Sequence, residues 1–186
     1  MAVPSKHLTL REFLDLPEEE PALEYEDGRV SQKMSPKGKH SGVQGDLVEI
    51  VNRAVRGTRV ARAFSELRVS FGGRSYVPDV SVYRWDRIPV DAKGELGNDF
   101  LEPPDVAVEI VSPSQSVTRL VRRCLWYVGH GAKAALLIDP DEKSLLVFRP
   151  NEIPQSVEID GQVDLSDVIA ELVLSAEELF GSLKVR

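Results

Sequence analysis

The sequence predicts an α/β fold, a mixed β-sheet with helices packed on its faces. Three observations point to it. Asp105–Ser112, DVAVEIVS, is apolar on both faces except at Glu109, the pattern of a strand buried inside a sheet. The stretch after it places Val117, Leu120, Val121, Cys124, Leu125 and Val128 in one stripe at helical spacing. A second periodic run, Val43, Leu47, Ile50, Val51 and Ala54, precedes a series of β-rich segments separated by turns.

Taken in order, Thr9 and Glu12 have the spacing of a capping box, and Leu10, Phe13, Leu14 and Leu16 follow, so a short helix begins there. Leu23–Glu26 and Arg29–Met34, joined by Asp27-Gly28, form a β-hairpin. A helix runs from His40 to Val55. Strands follow at Arg59–Phe64, Leu67–Phe71 and Val77–Tyr83, with Gly72-Gly73 as a turn. Residues 86–104 hold three prolines and two glycines and form a long loop. Asp105–Ser112 is the buried strand, which Pro113 stops, and Ser114–Val128 is the helix with the stripe, ended by Gly129 and Gly131. Ala134–Ile138 and Ser144–Phe148 are strands joined through Asp139-Pro140-Asp141. An acidic hairpin and a last helix near Ala176–Phe180 complete the chain.

At 186 residues the chain suits one domain, 1–186, with an N-terminal helix and hairpin at 8–35, a core at 36–150 and an acidic region at 151–186. No apolar run approaches the ~20 residues of a membrane span. The opening MAVPSKHLTLREFL has no signal-peptide pattern, and the one cysteine, Cys124, falls in the helical stripe and rules out an internal disulfide. A cytoplasmic protein is expected. The net charge of −7 resides in Asp139–Arg186, with 11 acids and 4 bases; residues 1–138 carry 19 of each. Three stretches of that neutral part lack acids: Gly28–Gly45 with Arg29, Lys33, Lys37 and Lys39; Ile50–Ser65 with Arg53, Arg56, Arg59 and Arg62; and Ile110–Ile138 with Arg119, Arg122, Arg123 and Lys133. Gathered on one face they would bind a polyanion; dispersed, they are ordinary solvated surface.

Two carboxylates stand out because strands bury them at a cost unless they are paired or bind a cation. Asp79 opens PDVSVY, and Glu109 shares a strand face with Asp105, Ala107 and Val111. On neighbouring strands they would converge, and carboxylates without cysteine suit Mg²⁺ or Mn²⁺ better than zinc. Taken singly, Asp79 as a turn cap and Glu109 as the partner of an arginine are the better explanations; for the pair, with an arginine-bearing helix directly after Glu109, the functional reading leads. His40 would bind metal, accept a proton or cap its helix. Trp126 would stack on a base or on Arg122, or cover a dimer interface. Ser112, Ser114 and Ser116 are turn and N-cap residues.

YVPDVSVY, PPDVAVEIVSPSQS, a helix ending in tyrosine and glycine, and LLIDPDEKSLLVFR, together with LTLREFLDLP, LEYEDGRVSQKMSP and His40 ahead of a helix, resemble the Uma-type putative restriction endonuclease family of the PD-(D/E)XK nuclease superfamily. The likeness spans about Leu8 to about Leu183. It implies a restriction-endonuclease-like fold, with a central mixed sheet and a nuclease core at 36–150, and metal-dependent hydrolysis of DNA phosphodiesters; double-stranded DNA is the expected partner, and a homodimer would suit an enzyme that cuts two strands. It implies Asp79, Glu109 and Glu24 as catalytic ligands of Mg²⁺ or Mn²⁺, with His40 secondary. The superfamily's lysine, two residues after the glutamate, is here Val111; the Uma-type lysine, four before a tyrosine, falls on Arg123 ahead of Tyr127. Arg123 would then contact the scissile phosphate, with Arg119 and Tyr127 on the same helical row and Lys37, Lys39, Arg119 and Arg122 binding DNA. Arginine keeps the charge but does not give up a proton, so the alternative is a catalytically impaired protein of the same fold that binds DNA or protein.

Overall fold

A computed structural model describes residues 8–113 and 115–186. The signal-peptide reading of residues 1–7 and the turn reading of Ser114 fall outside them. The chain opens with α1 (Leu10–Leu14), whose capping box forms as expected: Thr9 Oγ1 accepts from the Glu12 N–H, and Glu12 accepts from the Thr9 N–H. β1 (Leu23–Glu26) and β2 (Arg29–Gln32) make the hairpin, with Asp27 and Gly28 both at positive φ in the turn. α2 (Gly38–Val55) follows, then β3 (Ala61–Ser65), β4 (Val69–Phe71), β5 (Arg74–Tyr76) and β6 (Val80–Arg84). A 3₁₀ turn at Trp85–Arg87 leads into the long loop, which ends at β7 (Val106–Ile110). α3 (Val117–Gly129), β8 (Ala134–Asp139), β9 (Ser144–Phe148), β10 (Gln155–Val157), β11 (Gln162–Asp164), β12 (Val173–Ser175) and α4 (Ala176–Gly181) complete it.

The central sheet is mixed, in the order β10-β9-β8-β7-β6-β3. Its parallel pair is β7 and β8, joined by α3 as the crossover helix, and the other pairs are antiparallel. The alternation along β7 sorts the core into two layers. Val106, Val108 and Ile110 pack with Val43, Leu47 and Val51 of α2 on one face; Ala107 packs with Leu120, Cys124 and Tyr127 of α3 on the other. Cys124 is fully buried, as the helical stripe requires.

Three elements depart from the sequence expectation. The expected strand Val77–Tyr83 begins only at Val80, as β6 of the central sheet, and an unexpected strand, β5, precedes it in a second sheet, β2-β1-β5-β4. The chain crosses between sheets at residues 77–79, so Asp79 sits at a transition and not within a ladder. The helix after Pro113 starts at Val117, capped by Ser116, whose Oγ accepts the Arg119 N–H. Its buried face is also turned from the apolar stripe. Val117 and Leu125 are 45% exposed, while Arg123 and Tyr127 point inward. The acidic tail is not one hairpin, because β10 extends the central sheet and β11 pairs with β12. Its Val163, Leu165, Ile169 and Phe180 close the core over α2.

Candidate active site

The site forms where β6 and β7 run side by side, Val80 opposite Val108, so that Asp79 and Glu109 extend the same end of the pair. Each is 3% exposed. Asp79 is held on every side. Its Oδ2 accepts the Ile110 N–H at 2.6 Å, and its backbone carbonyl accepts Gln44 Nε2 at 2.8 Å and the Glu66 N–H at 3.2 Å. Glu24, inward-facing on β1, fixes the crossing segment by accepting the Val77 N–H at 3.0 Å.

The positive charges are distributed differently from the expectation. Arg123 donates to both oxygens of Glu24, at 2.9 and 2.7 Å, while its Nη1 lies 3.6 Å from Glu109 Oε1. Its guanidinium also lies over the Tyr76 ring, 4.3 Å from the centroid. Burial disfavours this charge, but Glu109, Tyr127 and Glu24 outweigh burial and raise its pKa. The residue in the Uma-type lysine position is thus engaged with a carboxylate from the hairpin.

An ammonium does reach the aspartate, from Lys33 just after β2. Its Nζ lies 2.7 Å from Asp79 Oδ1, 2.6 Å from the Val77 carbonyl and 3.2 Å from Glu66 Oε2. Burial works against the charge, and Asp79, Glu109 and Glu66 overcome it, so the pKa stays raised. Sequence reasoning placed Lys33 in a basic stretch and gave it no role. It missed Glu66 and Gln44 as well: Gln44 Nε2 bridges Glu66 Oε1 at 2.7 Å and the Asp79 carbonyl. The available signal was weak, a polar residue on the apolar face of α2.

Glu109 is the least compensated acid. Tyr127 donates its hydroxyl to Oε1 at 2.6 Å, and burial pushes the carboxyl up to about 7 despite Arg123 nearby. The Tyr127 hydroxyl is itself pushed upward by burial and by Glu109. His40 is buried, with Nε2 3.0 Å from Asp79 Oδ2 but off the direction a hydrogen bond needs; neither ring nitrogen has a hydrogen-bond partner among the described residues. Burial lowers its pKa, which keeps the ring neutral near pH 7.

Glu24, Lys33, His40, Asp79, Glu109 and Arg123 line a cavity of about 290 Å³, together with Ser31, Met34, Gln115, Ser116 and Arg119. Arg119 is exposed, 3.9 Å from Glu26. Lys37 and Arg122 are exposed, and Lys39 pairs with Asp141 at 2.5 Å. Trp126 faces neither the cavity nor Arg122. It stacks on His130 at 4.5 Å and meets the tilted ring of Phe71 at 4.8 Å, with Arg74 over it at 5.2 Å.

The donor set suits a hard divalent cation: buried carboxylate oxygens on Asp79 and Glu109, the latter an acid whose charge is poorly offset. Glu24 is committed to Arg123, and among the described residues no three His, Cys, Asp or Glu side chains stand grouped as a ready-made metal site.

Comparison with known proteins agrees with this architecture. Residues 10–177 match the family model Uma2, described as "Putative restriction endonuclease". A crystal structure of a putative nuclease belonging to DUF820 from Anabaena variabilis ATCC 29413 is 46% identical with a TM-score of 0.90, covering 95% of this chain and 99% of that one. A DrdV–DNA complex is matched at 14% identity and a TM-score of 0.36, over 79% of this chain and 13% of that one. No curated protein matches the chain. Among the described residues no helix is long and apolar enough to cross a membrane. With a family match over most of its length and a structural relative sharing nearly half its residues, the chain belongs to the Uma2 family of putative restriction endonucleases.

Proposed function

We propose that the protein is an endodeoxyribonuclease that hydrolyses phosphodiesters of double-stranded DNA with Mg²⁺ or Mn²⁺. The observation that carries this reading is the meeting of Asp79, Glu109 and the Lys33 ammonium at one end of the β6–β7 pair, inside a cavity that Arg119 also lines.

Asp79 and Glu109 would hold the cation, which when bound supplies activated water and neutralises charge on the phosphate. Lys33 supports the negative charge that develops on the phosphate. Tyr127 keeps the Glu109 carboxylate oriented through its 2.6 Å hydrogen bond. Arg123 neutralises Glu24, which in turn positions the segment carrying Asp79. The positive charge that supports the phosphate is therefore assigned to Lys33, acting through Asp79 and the cation site, with Arg123 as a positioning residue. Lys37, Lys39, Arg119 and Arg122 contact the DNA backbone. His40, neutral and beside Asp79, is secondary. The lone buried Cys124 suits the reducing cytoplasm.

The alternative of a binding module that lost its chemistry drew on the missing lysine, and Lys33 removes that reason. Cleavage of supercoiled plasmid separates the two. The parent should nick with Mg²⁺ or Mn²⁺, and Asp79→Ala, Glu109→Ala and Lys33→Ala should not. A parent that binds DNA in a salt-sensitive way but cleaves with neither metal would leave the binding module standing.

A further inference from the structure

The three contacts of Lys33 are all with oxygen: the Val77 carbonyl and Asp79 Oδ1 from the crossing segment, and Glu66 Oε2 from the turn between β3 and β4. Carboxylate and main-chain carbonyl oxygens are the donors that hard cations take. Glu66 is held in place at this seat. Its backbone lies in the left-handed region at φ 51, which a non-glycine residue adopts at a cost, and its Oε1 is fixed by Gln44. On the other oxygen of Asp79 stands His40, buried and without a hydrogen-bond partner among the described residues. Glu66 is half exposed and also lines a separate groove of about 570 Å³.

The geometry points to Lys33 as a tethered cation: its ammonium fills a second cation seat on the Glu66 side of Asp79, so the folded chain takes one divalent cation where the carboxylates alone would take two. This rests on the carboxylate metal centre proposed above. Charge agrees with it. Four carboxylates, Glu24, Glu66, Asp79 and Glu109, face two fixed cations, Lys33 and Arg123. A covalently attached ammonium does not dissociate, so this seat keeps its positive charge at any metal concentration. The remaining ion would then bind on the Glu109 side.

Counting bound Mn²⁺ on the full chain, by equilibrium dialysis and by the loss of the free-ion EPR signal, tests this without reference to cleavage. The parent should saturate at one ion. Lys33→Met, which keeps the length of the side chain and removes the charge, should saturate at two. Adding Glu66→Gln to Lys33→Met should return the count to one. Two ions on the parent, or one on a folded Lys33→Met, overturns the tethered cation and leaves the Asp79–Glu109 centre standing. No ion on the parent and one on Lys33→Met keeps the seat and overturns that centre; no ion on either overturns both. If Lys33→Met does not fold, Mn²⁺ soaked into crystals of the parent decides. An anomalous peak between Asp79 and Glu109 supports the inference, and one between Asp79 and Glu66 overturns it.

Discussion

Arg123 and Glu24 are 99 residues apart in the chain and meet through two parallel hydrogen bonds, joining α3 to the first hairpin across the floor of the site. Both are buried, and Glu24 uses the same carboxylate to hold the Val77 N–H. The pair therefore ties three segments together just ahead of Asp79. A bidentate guanidinium–carboxylate pair is geometrically specific, and lysine does not reproduce it.

Arg123→Met should be severely destabilising, about 3–5 kcal/mol, because it leaves Glu24 charged and buried without its partner. Adding Glu24→Gln should recover part of that loss. Arg123→Lys, which the resemblance alone presents as a return to an active arrangement, should lower stability and leave cleavage no higher than the parent. Urea unfolding of the four proteins checks the first two outcomes, and plasmid nicking checks the third.

Glu109 makes stability depend on pH with a defined sign. Its carboxyl is raised by burial from 4.5 to about 7, so the folded state holds a proton that the unfolded state has already lost between those values. Its contribution is fully present below about 4.5 and disappears as pH rises through about 7. In chelator, the parent should therefore lose stability relative to Glu109→Gln across this window, by on the order of 3 kcal/mol. Unfolding midpoints of both proteins at pH 5 and pH 8 measure the difference. A gap that does not change with pH would refute it.

Lys33→Ala should lower the cleavage rate by about 10²-fold or more, the cost of losing a charged group aimed at a transition state. The same change leaves Asp79 and Glu66 facing each other without a counterion. It should therefore raise sensitivity to low salt, seen as a melting temperature that climbs with added NaCl more steeply than in the parent.

DNA affinity should fall as salt rises. Replacing Lys37, Arg119 or Arg122 singly with Gln should reduce the slope of log K against log salt by about 0.9 for each phosphate no longer neutralised. Lys39→Gln should have a smaller effect, since that ammonium is shared with Asp141. Binding curves at several salt concentrations, with chelator present to prevent cleavage, provide the slopes.

Local order was legible in the amino acids themselves. The Thr9–Glu12 capping box, the Asp27-Gly28 turn, the two long helices and the two-faced burial of β7 all depend on residues within a few positions of one another, where spacing carries the physics. Asp79 and Glu109 stood out for a related reason: a carboxylate among buried β-branched residues is costly wherever the strand ends up. Asp105, buried in the same segment, turned out to be satisfied by Arg87 and the Arg84 N–H at the opposite end of the strand.

Tertiary structure alone decided which cation serves which acid. Apolar periodicity could not set the rotation of α3, because the inward positions 123 and 127 are taken by polar side chains whose partners, Glu24 and Glu109, come from other elements. Lys33 looks like any lysine in a solvated stretch until the small sheet carries it to Asp79, 46 positions away. Glu66 and Gln44 become site residues only once α2 and the β3–β4 turn meet. Pairings at that distance in sequence depend on how sheets stack and cross, and that is fixed by the packing of the whole core, not by the spacing of neighbours.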